Sequence, residues 1–314
     1  MKTLTKQELA SLLPYDELIE ALRNGFKQGA EAPLRHSHQI KTNGENENSL
    51  LIMPCWQTGR RLGIKTVIVC PDNHKQGLGA VQASYMLLDA TTGIPLAQMD
   101  GDELTVRRTS SASALASTIL SNPEASKLLM MGAGNLAPHM ISAHAAARNL
   151  KEIIIWSRDH EQAKKLAEKL NHKLNADVAV VDNPKEYAYE ADIISSATLA
   201  TDPIIKGAWL NPNKQQHIDI VGGYTYAMRE ADNDVLKGAA IYVDTFAGAM
   251  AEAGDILRPI EEGIITKDDV IGDLFTMVGD NFQKQNIKRT VFKSVGTALE
   301  DLVGANLAYA KFSG

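Results

Sequence analysis

Lys127-Leu-Leu-Met-Met-Gly-Ala-Gly-Asn-Leu-Ala-Pro-His-Met-Ile-Ser-Ala-His144 reads as a strand, a tight turn and a helix. Four apolar residues, Leu128 to Met131, run into Gly132-Ala133-Gly134, and Pro138 stands where the first turns of a helix tolerate proline. Gly132 permits the turn, Gly134 lets backbone approach a pyrophosphate, and Ala137 takes the third small-residue position, where helix and strand must lie close. Free backbone N–H groups and the positive end of a helix dipole favour a phosphate there. Taken alone, the glycines fit an ordinary strand-to-helix turn almost as well.

The sequence that follows adds a second signal. Lys151-Glu-Ile-Ile-Ile-Trp156 is another apolar strand, and it ends about 25 residues after Gly132, where a dinucleotide fold reads the ribose. An NAD site would place a carboxylate at that strand end. Here Ser157 and Arg158 stand there, a hydroxyl and a guanidinium that suit a 2′-phosphate, so NADPH is expected. Asp159, one residue further on, keeps NADH as the alternative.

From Lys127 to Val243 strands at 127–131, 152–156, 178–181, 192–196, 217–221 and 240–243 alternate with helical stretches. That rhythm predicts an α/β fold with a parallel, doubly wound sheet. The N-terminal third is different. After an amphipathic helix at 14–26, with Leu18, Leu22 and Phe26 on one stripe, come strand-like runs at 35–42, 49–56 and 63–70 (these two read as buried), 81–88 and 94–99 at hairpin spacing. A helix over 104–121 is opened by Asp100, with Glu103 three residues on as in a capping box, and Asn122-Pro123 closes it. Residues 252–273 read as loop, and the segment from Thr290 as a small-residue-rich helix. The expected division is 1–121 plus 290–314 as a β-rich substrate and dimerisation domain, and 122–289 as the nucleotide-binding domain.

Across 314 residues, 44% are hydrophobic, 22% charged and 5% aromatic, and the net charge is −6. Scattered basic residues and scarce aromatic rings argue against a nucleic-acid surface. Two cysteines, Cys55 and Cys70, form neither a disulfide framework nor a metal motif, so no metal is expected and a reducing compartment is. With no apolar signal core at the N-terminus and no membrane-length apolar run, the cytoplasm is the expected location.

Three cations stand out of place. Lys65 lies inside Ile64-Lys-Thr-Val-Ile-Val69, apolar on both faces, where a buried charge costs several kcal/mol unless something compensates. On a helical wheel begun at Leu104, at about 100° per residue, Arg108 falls within the arc of Ala112, Leu115 and Ile119. It also stands near the helix N-terminus, where the dipole disfavours a cation. A structural ion pair would explain it, and so would a fixed guanidinium awaiting a substrate carboxylate; the second is preferred. Arg107 reads as a surface charge or a helper. Arg35, beside His36 and His38, has no acidic cluster to complete a metal site and gains meaning only if it faces Lys65 and Arg108.

Arg35, Leu62-Gly-Ile-Lys-Thr-Val67, Leu88-Asp-Ala-Thr-Thr-Gly93, Met99-Asp-Gly-Asp-Glu-Leu-Thr-Val-Arg-Arg-Thr109, Met131-Gly-Ala-Gly134, Thr198-Leu-Ala-Thr-Asp-Pro203 and Val291-Phe-Lys-Ser-Val-Gly296 together resemble the ornithine cyclodeaminase/mu-crystallin family over nearly the whole chain. The resemblance implies a Rossmann domain joined to a substrate domain that forms a homodimer, the latter built from the N-terminal part and the C-terminal helix. It implies that Arg35, Lys65 and Arg108 bind a carboxylate. It also implies that Ala133, Asn135, Leu136, Ser157, Arg158, Thr198, Leu199 and Val221 contact the cofactor, with Thr109 and Ser294 near the nicotinamide.

One departure bears on the reaction. In the family's cyclodeaminases an aspartate follows the strand equivalent to Ile218-Asp-Ile-Val221, whereas this chain has Gly222-Gly-Tyr224. Tyrosine is protonated at neutral pH and is a poor replacement for a carboxylate base. The resemblance is therefore closer to the ketimine reductase branch, and the expected reaction is NAD(P)H-dependent reduction of Δ1-pyrroline-2-carboxylate to L-proline, with Δ1-piperideine-2-carboxylate as the six-membered counterpart. Ornithine cyclodeamination, an alanine dehydrogenase or opine-type reaction, and binding of NADPH or a small acid without turnover stay open as alternatives.

Overall fold

The computed structural model describes residues 1–44 and 46–313; Glu45 and Gly314, the latter the end of the expected C-terminal segment, lie outside them. Its contacts divide the chain into one unit of residues 1–108 with the stretch from Thr297 onward, and a second of Thr109–Gly296, the division falling inside the helix Gly101–Leu120.

The first unit is built on a six-stranded sheet. Strands His36–Ile40, Asn48–Gln57, Arg61–Val69, Val81–Asp89 and Pro95–Asp100 form an antiparallel meander in chain order, and Lys2–Leu4 adds in parallel to the last of them. Gly63, Lys65 and Val67 are buried while Leu62, Ile64, Thr66 and Ile68 are not, so alternation gives the sheet one covered and one open face. The C-terminal helix, Ala298–Ser313, packs on strands 48–57 and 61–69 and against the helix Tyr15–Gln28, which buries Leu18, Ile19, Leu22 and Phe26. The runs 49–56 and 63–70, both read as buried strands, are strands buried only at Met53 and Cys55 and at Gly63, Lys65 and Val67, because Leu50, Ile52, Pro54, Ile64 and Ile68 belong to the open face, and Leu51, on the covered face, is half-buried.

The second unit carries eight parallel strands, in the order 270–273, 240–243, 289–293, 216–220, 193–196, 127–131, 152–156, 177–180. Alternate residues feed two cores. Leu129, Met131, Ile154 and Ile194 join one, Leu128, Met130, Ile153 and Ile193 the other. Both faces are therefore covered, as a doubly wound sheet requires. The six expected strands lie within a residue of their expected bounds.

Two further strands replace expected features. Val270–Asp273 falls in the stretch read as loop, which also holds the helix Gly254–Glu261. Arg289–Lys293, read as the start of a helix, is a strand between 216–220 and 240–243, and the helix begins only at Ala298. Thr290-Val-Phe292 has the β-branched and aromatic side chains a buried strand favours, but charged residues at both ends hide it from a pattern search. Among the described residues no helix is long and apolar enough to cross a membrane.

Candidate active site

In the first unit Lys65 sits on the covered face of its strand, almost without solvent. Its Nζ lies 2.7 Å from Asp301 Oδ2 and donates to Thr105 Oγ1 at 3.3 Å. Arg108 is buried beside it, donating from Nε to Asp301 Oδ1 at 2.9 Å and from Nη1 to Glu300 Oε2 at 2.5 Å. Among the described residues its Nη2 has no hydrogen-bond partner.

The ion pair weighed second in the sequence is thus present, and its acids come from the far end of the chain. Glu300 and Asp301 occupy the first turn of the C-terminal helix, where the helix dipole favours carboxylates. The sheet position of Lys65, the helix 101–120 and the C-terminal helix together make one buried group of two cations and two acids. Burial, with Arg108 and Arg35 nearby, outweighs Asp301 and lowers the Lys65 pKa from 10.5 to about 8. Burial works against the charge of Arg108 as well, but Asp301 and Glu300 more than offset it and raise its pKa above the ordinary arginine value.

Arg35 stands half-buried just before the exposed strand 36–40, close enough to act on Lys65. His36 and His38 are exposed strand side chains. Asp100 caps the helix by accepting from Glu103 N at 2.8 Å, whereas the Glu103 carboxylate pairs with Arg107 instead of completing a capping box. Arg107 also donates to the Leu13 carbonyl at 2.8 Å, so it is a half-buried tie and not a surface charge.

In the second unit Gly132 takes φ +112°, a conformation L side chains rarely adopt, as the chain turns from strand 127–131. A Cβ on Gly132 would stand 2.8 Å from Thr198 Cγ2, while one on Gly134 would meet nothing within 4 Å. The helix Ala137–Ala147 starts directly after, with proline at its N-terminus, no side-chain cap, and Ala137 fully buried. Gly134 and Asn135 are exposed, Leu136 is half-buried and Ala133 buried. An open glycine turn before an uncapped helix N-terminus fits a pyrophosphate.

The turn lies where successive strands part company. Strands 152–156 and 177–180 run out to one side of 127–131, 193–196 and 216–220 to the other, and a doubly wound sheet binds its ligand at the carboxyl ends of that switch. Thr198 and the largely exposed Leu199 follow strand 193–196, and Val221, buried in the same core as Ala133, follows 216–220. Ser157 is half-buried and Arg158 exposed after strand 152–156; Asp159 caps the helix His160–Asn171 by accepting from Gln162 N at 3.0 Å. Thr109 is buried within its helix, and Ser294 is buried with its hydroxyl donated to Asp244 at 3.0 Å.

Sequence reasoning missed Glu300 and Asp301, and also a buried group in the second unit: Glu230, Asp255 and Lys293. Lys293 Nζ donates to the Gly223 carbonyl at 2.6 Å and lies 3.2 Å from Asp255. Asp255 accepts from the Glu230 and Ala231 amides at 2.8 and 3.1 Å. Burial raises the Glu230 carboxyl above its ordinary value; Lys293 opposes this and Asp255 adds to it. A carboxylate on the side of the helix shared with the small residues Ala305 and Ala308 was a readable signal for Asp301. Glu230 lay in a stretch without periodicity and gave none.

The sequence profile of the ornithine cyclodeaminase/mu-crystallin family matches residues 2–314. Protein SAR DEFICIENT 4 of Arabidopsis thaliana is 36% identical, covering 98% of this chain and 96% of its own. The Δ1-pyrroline-2-carboxylate reductase of Colwellia psychrerythraea is 32% identical over the full length of both. A solved structure, Thermococcus litoralis Δ1-pyrroline-2-carboxylate reductase in complex with NADH and L-proline, superposes with a TM-score of 0.92 at 32% identity, covering 99% of this chain and 97% of the other. With the parallel sheet, the glycine turn and a full-length match, this chain belongs to the ornithine cyclodeaminase/mu-crystallin family.

Proposed function

We propose that the protein is an NAD(P)H-dependent imine reductase that converts Δ1-pyrroline-2-carboxylate to L-proline, with Δ1-piperideine-2-carboxylate as its six-membered counterpart. The observation that carries this reading is the buried group of Lys65 and Arg108, held on Asp301 and Glu300 within the field of Arg35. Lys65 and Arg108, with the field of Arg35 acting on Lys65, make a cationic lining that suits a small carboxylate. Arg108 Nη2 and Arg35 bind that carboxylate and fix the ring, while Asp301 holds the Arg108 fork in place. Lys65, with its pKa near 8, keeps the imine nitrogen protonated, which makes the imine carbon the better acceptor.

The cofactor reading rests on the open turn. Gly132, Ala133, Gly134, Asn135 and Leu136 hold the pyrophosphate, and Ser157 with Arg158 hold a 2′-phosphate, which favours NADPH over NADH. Thr198, Leu199, Val221, Thr109 and Ser294 complete the nucleotide contacts on the family pattern. When bound, the nicotinamide supplies the hydride. The functional division is a substrate and dimerisation part drawn from the N-terminal stretch and the C-terminal helix, and a nucleotide part that carries the parallel sheet; because strand 289–293 lies within that sheet, the boundary expected at 290 moves to the far side of it. The free thiols of Cys55 and Cys70 support a reducing, cytoplasmic setting.

Purified protein given Δ1-pyrroline-2-carboxylate is expected to oxidise NADPH, read at 340 nm, while L-ornithine with NAD+ releases no ammonia. Ammonia from ornithine without imine reduction would assign the cyclodeaminase reaction instead and show that Tyr224, or another group, replaces the missing aspartate.

A further inference from the structure

The carboxylate of Glu230 gathers four donors from two loops. Its Oε1 accepts from the Ser196 hydroxyl at 2.5 Å, the Thr198 amide at 2.6 Å and the Thr198 hydroxyl at 2.8 Å. Its Oε2 accepts from the Gly222 amide at 2.7 Å. Ser196 and Thr198 end strand 193–196 and begin the loop after it; Gly222 begins the loop after strand 216–220.

The two loops touch backbone to backbone. A Cβ on Gly222 would lie 1.9 Å from the Thr198 carbonyl oxygen and 2.2 Å from its amide, so only glycine permits the approach that brings both amides to one carboxylate. Glu230 is itself fixed from behind, its own amide held by Asp255, whose carboxylate neighbours Lys293, and Lys293 grips the next carbonyl of the second loop, Gly223. Ser196, Glu230, Asp255 and Lys293 are fully buried and Thr198 is half-buried, and the group lies at the carboxyl ends of the strands beside the switch point.

With its hydroxyl committed to Glu230, Thr198 turns its methyl toward Gly132, the first glycine of the phosphate turn. The position of Glu230 therefore sets how the 198–199 and 221–223 backbones meet that turn. We propose that Glu230 is a positioning residue for the dinucleotide: a buried carboxylate rivet that locks the two loops edge to edge and pre-forms the surface the cofactor lies on. It touches neither cofactor nor substrate, and it acts through Thr198 and Gly222. The inference rests on the nucleotide-binding part of the proposed function and not on the identity of the imine.

Replacement by glutamine keeps size and shape but turns one acceptor oxygen into a donor. Whichever way the amide is placed, an N–H group then faces the amide of Thr198 or of Gly222, and one backbone bond is lost. NADPH affinity, measured by nucleotide fluorescence on the protein without substrate, is expected to weaken about 10-fold or more in Glu230→Gln. In turnover the KM for NADPH rises while the KM for the imine stays near wild type. Ser196→Ala, which removes one buried bond and no proposed cofactor contact, is expected to shift NADPH affinity in the same direction by a smaller factor, with a thermal midpoint close to wild type.

A folded Glu230→Gln variant with wild-type NADPH affinity and only a lowered thermal midpoint overturns the proposal. If that variant does not fold, wild-type affinity in Ser196→Ala does the same. A wild-type protein that binds no dinucleotide removes the inference together with the cofactor reading. One that binds NADPH but does not reduce the imine removes only the substrate assignment, and the affinity series still decides the role of Glu230.

Discussion

In the role proposed for Lys65, catalysis and stability pull in opposite directions. Its pKa near 8 in the folded chain lies below the ordinary 10.5, so between these values the unfolded chain binds more protons. Its contribution to stability therefore grows as pH rises through that window. Activity that depends on a protonated amine does the reverse. We expect kcat/KM for the imine to fall as pH rises through about 8, with no matching loss of thermal stability. Lys65→Met should abolish turnover while leaving NADPH binding intact; wild-type-like kinetics in that variant would refute its assignment. Arg108 behaves differently. Because it neutralises buried Glu300 and Asp301, Arg108→Ala should cost about 3–5 kcal/mol of folding stability in denaturant titration as well as activity. Arg158 is exposed after its strand, and Arg158→Ala should reduce the preference for NADPH over NADH by about 10-fold, the loss of one charged hydrogen-bonding partner. Equal cofactor ratios before and after would remove it from the 2′-phosphate site.

At the scale of elements, the strand ends matter more than the strands. The turn at Gly132 was legible because a glycine between an apolar run and a helix has few uses, and its positive φ accounts for the residue type. Gly222 was read only as part of a departure from the family pattern. Its need for glycine comes from Thr198, a residue distant in sequence but adjacent once strands 193–196 and 216–220 pair. Gly222→Ala should therefore separate the two loops and weaken NADPH binding while imine KM changes little; unaltered affinity would mean that the close approach is dispensable. Strand 289–293 teaches a related point. Its five residues carry no alternation because both faces are covered, and only the pairing of its neighbours on either side identifies it.

For the molecule as a whole, the open face of the six-stranded sheet leads to a statement about assembly. Register and alternation place Leu50, Ile52, Pro54, Ile64, Ile68 and Met86 together on the side opposite Lys65, none of them fully buried. A contiguous apolar face of this kind favours a partner, and a second copy is the one we propose. Light scattering should give the mass of a dimer, and Ile68→Asp should shift it to monomer; a wild-type monomer would exclude the assembly. The sequence by itself determined the parallel sheet, the phosphate turn and the suspicion that fell on Lys65 and Arg108, because periodicity, glycine spacing and a misplaced charge are local properties. Only the tertiary structure decided what those charges meet. Asp301 and Glu300 lie nearly two hundred positions from Arg108, Glu230 reaches two loops across paired strands, and strand 289–293 enters the sheet out of chain order. Each is a contact between segments far apart in the chain, and burial selects such contacts without leaving a periodic trace in the residues that make them.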